Sequence, residues 1–355
     1  MFLGNKELEK PNNEELSVTS RIFSLAFVLL ILDSALASAA QERMKLVIGY
    51  SAMQAPVAPL WVAQEQGFFN KYGIEPQLVF IRTTSVHIAG LISGHIDLSY
   101  GGGSGILPVA GSGIDLRFIA SFGSRLTHFL VTRPDIKQPK DLQNKRMGVV
   151  SVGGTQWITT KLGLEYLDID EQRDRIHMLP IGDQSILRGA LESGNIDAAF
   201  FNGALAEDLR SKGFRILTDL HSANIKTLSS GVIVKRTFLQ KNRALTTNLL
   251  QAVIEGLAFV KSPTQKPRVI RTLMERLKIS DSAIAEQGYG YLQRDLDISL
   301  YPAVDGLKNL QRFMRPYNPR VGEVNATDLV DDSVVRSLID NGFVEKTFRS
   351  YGLKY

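Results

Sequence analysis

One phrase occurs twice, one hundred positions apart. Leu91-Ile92-Ser93-Gly94-His95-Ile96-Asp97 returns as Leu191-Glu192-Ser193-Gly194-Asn195-Ile196-Asp197. Each copy runs into a short apolar stretch and then a loop of small residues. In the first copy that loop is Gly101-Gly102-Gly103-Ser104, and in the second it is Asn202-Gly203. A glycine just past a helix, followed by a short apolar strand, is one piece of a parallel βαβ unit. A chain carrying two such pieces is constrained to build two similar α/β halves.

The flanking pattern extends both copies. Apolar runs at 45–50, 75–81 and 96–100 read as strands, with helical spacing over 59–69 and from 83 to 93. Runs at 145–150, 175–181 and 196–201 repeat the strands, and 155–167 and 183–193 the helices. A constant offset pairs Ser51 with Ser151, Glu65 with Glu165, Ile81 with Ile181, Ser85 with Ser185 and Gly103 with Gly203. The competing reading is that any two βαβαβ halves look alike. Both readings give two α/β lobes. Strand-like runs at 116–122 and 128–132 join the halves, and others follow at 215–220 and 230–234. Helical spacing then dominates at 246–260, 267–277, 280–292, 302–314 and 331–341. The expectation is an α/β chain of two lobes, each a mostly parallel sheet flanked by helices. Residues 44–125 plus 223–355 form lobe one, with the C-terminal helices packed on it, and 126–222 form lobe two.

Composition narrows the function. The 355 residues are 44% hydrophobic, ample for a core of this size. There is no cysteine, which excludes a disulfide framework, a thiolate metal site, a Cys nucleophile and a lipidated Cys. Arg21 precedes an apolar run over 22–32, too short for a bilayer span of about 20 residues. With Ala37-Ser38-Ala39 it predicts a signal peptide over 1–39, an uncleaved anchor being the alternative. Glu7, Glu9, Glu14 and Glu15 are foreign to a positive leader, and suggest a true start nearer Leu16 or Val18. Beyond residue 39 there are 38 Lys/Arg against 31 Asp/Glu, a net +7. That charge is scattered, without a basic stripe and interleaved aromatics, so no nucleic acid is expected. The five histidines show no metal-ligand spacing, and neither a nucleophile elbow nor a phosphate loop is present. No cofactor, metal or catalytic residue is expected.

Several motifs resemble a known family. They are Tyr50-Ser51, the run from Ala58-Pro59-Leu60-Trp61 to Gly67-Phe68-Phe69, and Tyr72-Gly73-Ile74-Glu75. Ser93-Gly94-His95-Ile96-Asp97 and Asp328-Leu329-Val330-Asp331 add to them. So does Asp141-Leu142-Gln143-Asn144-Lys145, with Asn144 where the family usually has Gly. Together they resemble ABC-transporter substrate-binding proteins of the nitrate/sulfonate/taurine class, which includes thiamine-pyrimidine-precursor binders. The resemblance covers roughly residues 45 to 345. It implies a type II periplasmic-binding-protein fold and a soluble monomer in the periplasm. It also implies capture of a small molecule between two lobes and delivery to a membrane ABC permease. The candidate solutes are a sulfonate, a carboxylate or a heterocycle. Two other readings stay open: an enzyme on this fold acting on a thiamine or quinone precursor, and a periplasmic sensory module. The related enzyme class depends on a Cys-rich iron motif, which this chain lacks.

In open α/β sheets ligands sit beyond the carboxyl ends of the strands. The candidate ligand-binding residues are therefore Ser51, Met53 and Gln54; Arg82, Thr83 and Thr84; Gly102, Gly103 and Ser104; Gly154, Thr155, Gln156 and Trp157; and Asn202. Glycine admits a ligand to the backbone, and hydroxyl and amide groups supply neutral hydrogen bonds. Helix starts at 83–85 and 153–155 offer free N–H groups to an anion. Each candidate has a structural rival. Thr84 and Thr155 could simply cap helices, Gly101–Gly103 could be a turn, Trp157 could be core, and Arg82 could be a solvated rim residue. Asp97 and Asp197 read as scaffold.

Overall fold

The computed structural model describes residues 43–82 and 84–355. The expected signal segment, residue Thr83 and the Thr84 side chain lie outside the described residues. The strands form two five-stranded sheets. Sheet one contains β1 (Met44–Tyr50), β2 (Ile74–Phe80), β3 (Leu98–Gly101), β4 (Leu116–Arg125) and β10 (Lys226–Lys235), in the order β2-β1-β3-β10-β4. Sheet two contains β5 (Phe129–Thr132), β6 (Arg146–Val149), β7 (His177–Pro180), β8 (Ala198–Phe201) and β9 (Arg215–Asp219), in the order β7-β6-β8-β5-β9. In each sheet four strands run one way, and the reversed strand, β10 or β5, lies second from an edge. The expected two-lobed, mostly parallel α/β architecture is present. Among the described residues no helix is long and apolar enough to cross a membrane.

The repeat is real in three dimensions, with one correction. Gly49 pairs with Ser99 on β3 and Val79 on β2, and Gly148 pairs with Ala199 on β8 and Leu179 on β7. The offset is 100 for the second and third strands but 99 for the first. The expected pairing of Ser51 with Ser151 is therefore out of register by one. The shared phrase is scaffold in both copies. Gly94 and Gly194 turn the chain with φ of 83° and 76°, a region open to glycine. Asp97 Oδ2 accepts the Val47 amide at 2.8 Å, and Asp197 Oδ2 accepts the Arg146 amide at 2.9 Å, so each carboxylate pins its first strand. Ile96 and Ile196 fill the space left by Gly49 and Gly148. Asn144, in the position of a family glycine, has φ of 59°, the left-handed conformation that Asn tolerates.

The helices that matter for the site are few. In sheet one's half they are α1 (Ala58–Glu65) and α2 (Thr84–Ser93); in sheet two's half, α3 (Thr155–Tyr166), α4 (Gln184–Glu192) and α5 (Gly203–Ser211). The expected helix over 59–69 breaks, because Gly67 takes φ of 72° and Phe68–Lys71 starts a new turn. α6 (Arg243–Lys261) packs on α1, inside the core of sheet one. α7 (Ser282–Asp295) and α8 (Val304–Met314) go further than the expected packing on lobe one. α7 also crosses onto α5: Gly288 lies so close to Ala204 that a Cβ there would stand 2.6 Å from Ala204 Cβ. Tyr291 OH donates to Glu207 at 2.7 Å. α8 reaches α3 through Arg312, which donates to both Glu165 oxygens at 2.7 and 2.8 Å.

Candidate functional site

A cavity of about 80 Å³ lies where the carboxyl ends of both sheets face each other. From sheet one it is lined by the loop after β1 (Ser51, Met53, Gln54), by Arg82 after β2, by Tyr100–Gly102 at the end of β3, and by Ser229 and Ser230 of β10. From sheet two come Ser151 and Gly154–Gln156 after β6, Asp183 and Gln184 after β7, and His128 before β5. The two halves touch directly. Ser104 Oγ and Thr155 Oγ1 share a hydrogen bond of 2.8 Å. A Cβ on Gly102 would stand 2.2 Å from Thr155 Oγ1, so glycine there permits the lobes to meet. Nearer solvent, Arg82 Nε stands 3.6 Å from Asp183 Oδ2 across the gap.

Each polar group is positioned by a local rule. Gly182, with φ of 133°, turns the chain into α4. Asp183 is the N-cap: its Oδ1 accepts the amides of Ser185 at 3.0 Å and Ile186 at 3.2 Å. Gln184 Nε2 donates to the Phe200 carbonyl at 3.2 Å, which fixes the amide orientation. Its Oε1 is buried without a partner, the residue being only 5% exposed. Gln156 Oε1 accepts the Val150 amide at 3.0 Å and braces the loop before α3. Gly154 caps α3 with no side-chain acceptor, leaving that helix start open. His128 is 8% exposed, and its Nδ1 has no partner. Burial pushes its pKa down to about 4, so the ring is neutral near pH 7. Tyr100 OH donates to the Pro56 carbonyl at 3.1 Å and accepts from Ser230 Oγ at 3.2 Å.

Of the residues expected from sequence, Ser51, Met53, Gln54, Arg82, Gly102, Gly154, Thr155 and Gln156 line this cavity. Four do not. Gly103 packs against Leu228, Leu307 and Leu310, and Ser104 sits behind the loop, bonded to Thr155. Trp157 is buried, edge-on to Tyr317 with ring centroids 5.0 Å apart. The helical turn of about 100° per residue carries it away from the face of Thr155. Asn202 caps α5, its Oδ1 accepting the Leu205 amide at 3.3 Å. Sequence reasoning missed Asp183, Gln184, His128, Tyr100, Ser229 and Ser230. The offset of 100 maps Thr83 onto Asp183 and could have flagged it. His128 carries no motif in the sequence that marks it as a cleft residue.

A larger depression of about 390 Å³ is lined by Ser124 and Arg125 at the end of β4, by His221 just after β9 and by the last turn of α7. There Arg294 forks between Asp219 Oδ2 at 2.7 Å and Asp295 Oδ1 at 2.8 Å. His221 Nδ1 stands 3.4 Å from Asp295 without a hydrogen bond, and burial holds the ring's pKa below its ordinary value. Burial pushes the Asp295 carboxyl up to about 6 against the pull of Arg294. The pair of Arg294 with Asp219 ties α7 to the end of β9.

Comparison with known proteins agrees with this geometry. No curated protein matches the chain. Among solved structures, the putative sulfonate ABC transporter periplasmic sulfonate-binding protein SsuA from Methylobacillus flagellatus KT is 17% identical, with a TM-score of 0.67. The match covers 86% of this chain and 96% of that one. The periplasmic nitrate-binding protein NrtA from Synechocystis PCC 6803 is 12% identical with a TM-score of 0.67, covering 84% and 89%. DSZB, solved as a mutant in complex with biphenyl-2-sulfinic acid, is 18% identical with a TM-score of 0.61, covering 84% and 99%. These likenesses establish the periplasmic-binding-protein fold. The family described as NMT1/THI5 like matches residues 54–266, more than half of the sequence, and the chain belongs to that family.

Proposed function

We propose that this chain is an extracytoplasmic solute-binding protein that captures a small organic molecule between two lobes and hands it to an ABC permease. The observation that carries the reading is the cleft itself. Both sheets converge on it with neutral polar groups, and buried Gln184 Oε1 and His128 Nδ1 there have no partner. Buried polar atoms are normally satisfied, so these two await hydrogen bonds that a solute would supply. Lobe one is 44–125 plus 223–355 and lobe two 126–222, with rotation at the two crossings. Capture is a shift toward the closed form, which requires the solute to touch both lobes. The protein works in the periplasm as a monomer after removal of residues 1–39. It binds and does not catalyse, in keeping with the names of most of its structural neighbours. The candidate solutes remain a sulfonate, a carboxylate or a heterocycle.

Native mass spectrometry of the purified protein, followed by thermal-shift screening of those classes, tests the reading. A true solute at 100 times its Kd raises stability by about 2.7 kcal/mol. Turnover of the bound molecule, or a cleft that no solute stabilises, overturns it.

A further inference from the structure

The geometry points to Asp183 as a built-in occupant of the cleft's anion position, and hence to an uncharged solute; this rests on the binding role proposed above. A cleft of this kind can hold an anion with a cation and the open start of a helix. At the mouth Arg82 and the start of α4 lie together, and Asp183 already uses both. Its Oδ1 accepts the first amides of α4, and its Oδ2 faces Arg82 Nε at 3.6 Å. The residue is 8% exposed, so its charge is poorly screened by water. An anionic solute brought to Arg82 would have to displace this carboxylate or sit beside it. Among the described residues no second Lys or Arg lines the cleft.

The remaining groups describe what the cleft accepts. Gln184 Oε1 is held as an acceptor because Nε2 is committed to the Phe200 carbonyl. It takes an N–H or O–H from the solute, which nitrate and a sulfonate group itself do not carry. The uncapped start of α3 at Gly154 offers amides to a single acceptor atom of the solute. The matching class is an uncharged organic molecule with at least one hydrogen-bond donor and one acceptor, such as a carboxamide, a ureide or a hydroxylated ring. The SsuA and NrtA neighbours are named for sulfonate and nitrate, anions that this filled position does not suit.

Calorimetric titration with ethanesulfonate and with nitrate tests the assignment on the wild type, Asp183→Asn and Asp183→Ser. The serine variant keeps a helix cap without charge, so it carries the test if the asparagine variant folds poorly. The expected result is no binding by the wild type at millimolar concentration. At least one uncharged variant should gain about tenfold or more for ethanesulfonate, equivalent to about 1.4 kcal/mol. Adding Arg82→Gln should abolish that gain. Micromolar binding of either anion by the wild type, or folded variants with no gain, overturns the inference. A carried-over anion in the wild-type cleft overturns it too, while leaving the binding role intact. A gain by the variants in a protein that no uncharged solute stabilises sinks the binding role instead.

Discussion

The two βαβαβ halves solve one packing problem with different side chains. At the first strand each half has a glycine covered by an isoleucine, Gly49 by Ile96 and Gly148 by Ile196. The second neighbour differs: His87 covers Gly49, and Leu187 covers Gly148. The next strand differs again, with Ser99 in one half and Ala199 in the other. Lobe two is dry there. In lobe one, His87 Nε2 and Ser99 Oγ are buried without partners, His87 being 1% exposed. A sheet of this shape thus closes without polar groups, and lobe one carries two that cost stability.

That contrast has a pH signature, the largest effect expected. Burial holds the His87 ring down at about 4, as it does His128, against an ordinary value of 6.5. The unfolded chain takes up protons below pH 6.5 and the folded chain does not. Stability is therefore full above that pH and falls toward pH 4, by up to about 3 kcal/mol for each ring. Urea unfolding at several pH values should show this slope, and His87→Leu should remove about half of it. An unchanged slope in that variant would break the comparison. Combining it with Ser99→Ala, which gives lobe one the side chains of lobe two, should add stability at pH 7, by about 1–3 kcal/mol for each orphan removed.

Adding a methyl at the paired glycines probes the same place from the other side. Gly49→Ala meets the stiff imidazole 2.7 Å away, and Gly148→Ala meets the yielding ends of Leu187 and Ile196. We expect about 3 kcal/mol lost at the first and about 1 kcal/mol at the second, within the usual range for overpacking. Equal losses would mean that His87 moves as freely as Leu187.

The two pinning aspartates should differ less. Asp197 also accepts Arg146 Nε at 2.9 Å and Nη2 at 2.7 Å, and that guanidinium holds its carboxyl below the usual range. Asp197→Asn should cost about 1–2 kcal/mol and Asp97→Asn under about 1 kcal/mol, read by chemical unfolding. The smallest effect belongs to Arg312→Ala, where an exposed pair with Glu165 links α8 to lobe two. At most about 1 kcal/mol should be lost, less in high salt.

Periodicity and glycine placement made the fold legible, because a repeated helix-stop and strand-start is local chemistry. The one-residue slip at the first strand is not legible, since the pairing that fixes it is with strands 30 to 51 residues away. The loops of the cleft were legible for the same local reason: strand ends and helix starts can be counted. Asp183 and Gln184 were hidden because a helix cap and a first-turn glutamine look alike on any helix. Only the approach of Arg82 and the carbonyl of Phe200 gives them a second role. Trp157 misled because proximity in sequence to Gly154 says nothing about which side of a helix a ring takes.

One feature of the sheets bears on how the molecule is made. All five strands of sheet two come from the continuous stretch between Phe129 and Asp219, whereas β4 and β10 of sheet one are neighbours separated by that whole stretch. Sheet two can assemble as soon as its own segment is available. Sheet one must hold β1 to β4 incomplete until β10 arrives, and its core must then wait for α6. Late, long-range pairing of this kind is slow and leaves strand edges exposed. Order of assembly along the chain is thus written into which strand is reversed: β5 opens the inserted sheet, and β10 completes the one it interrupted.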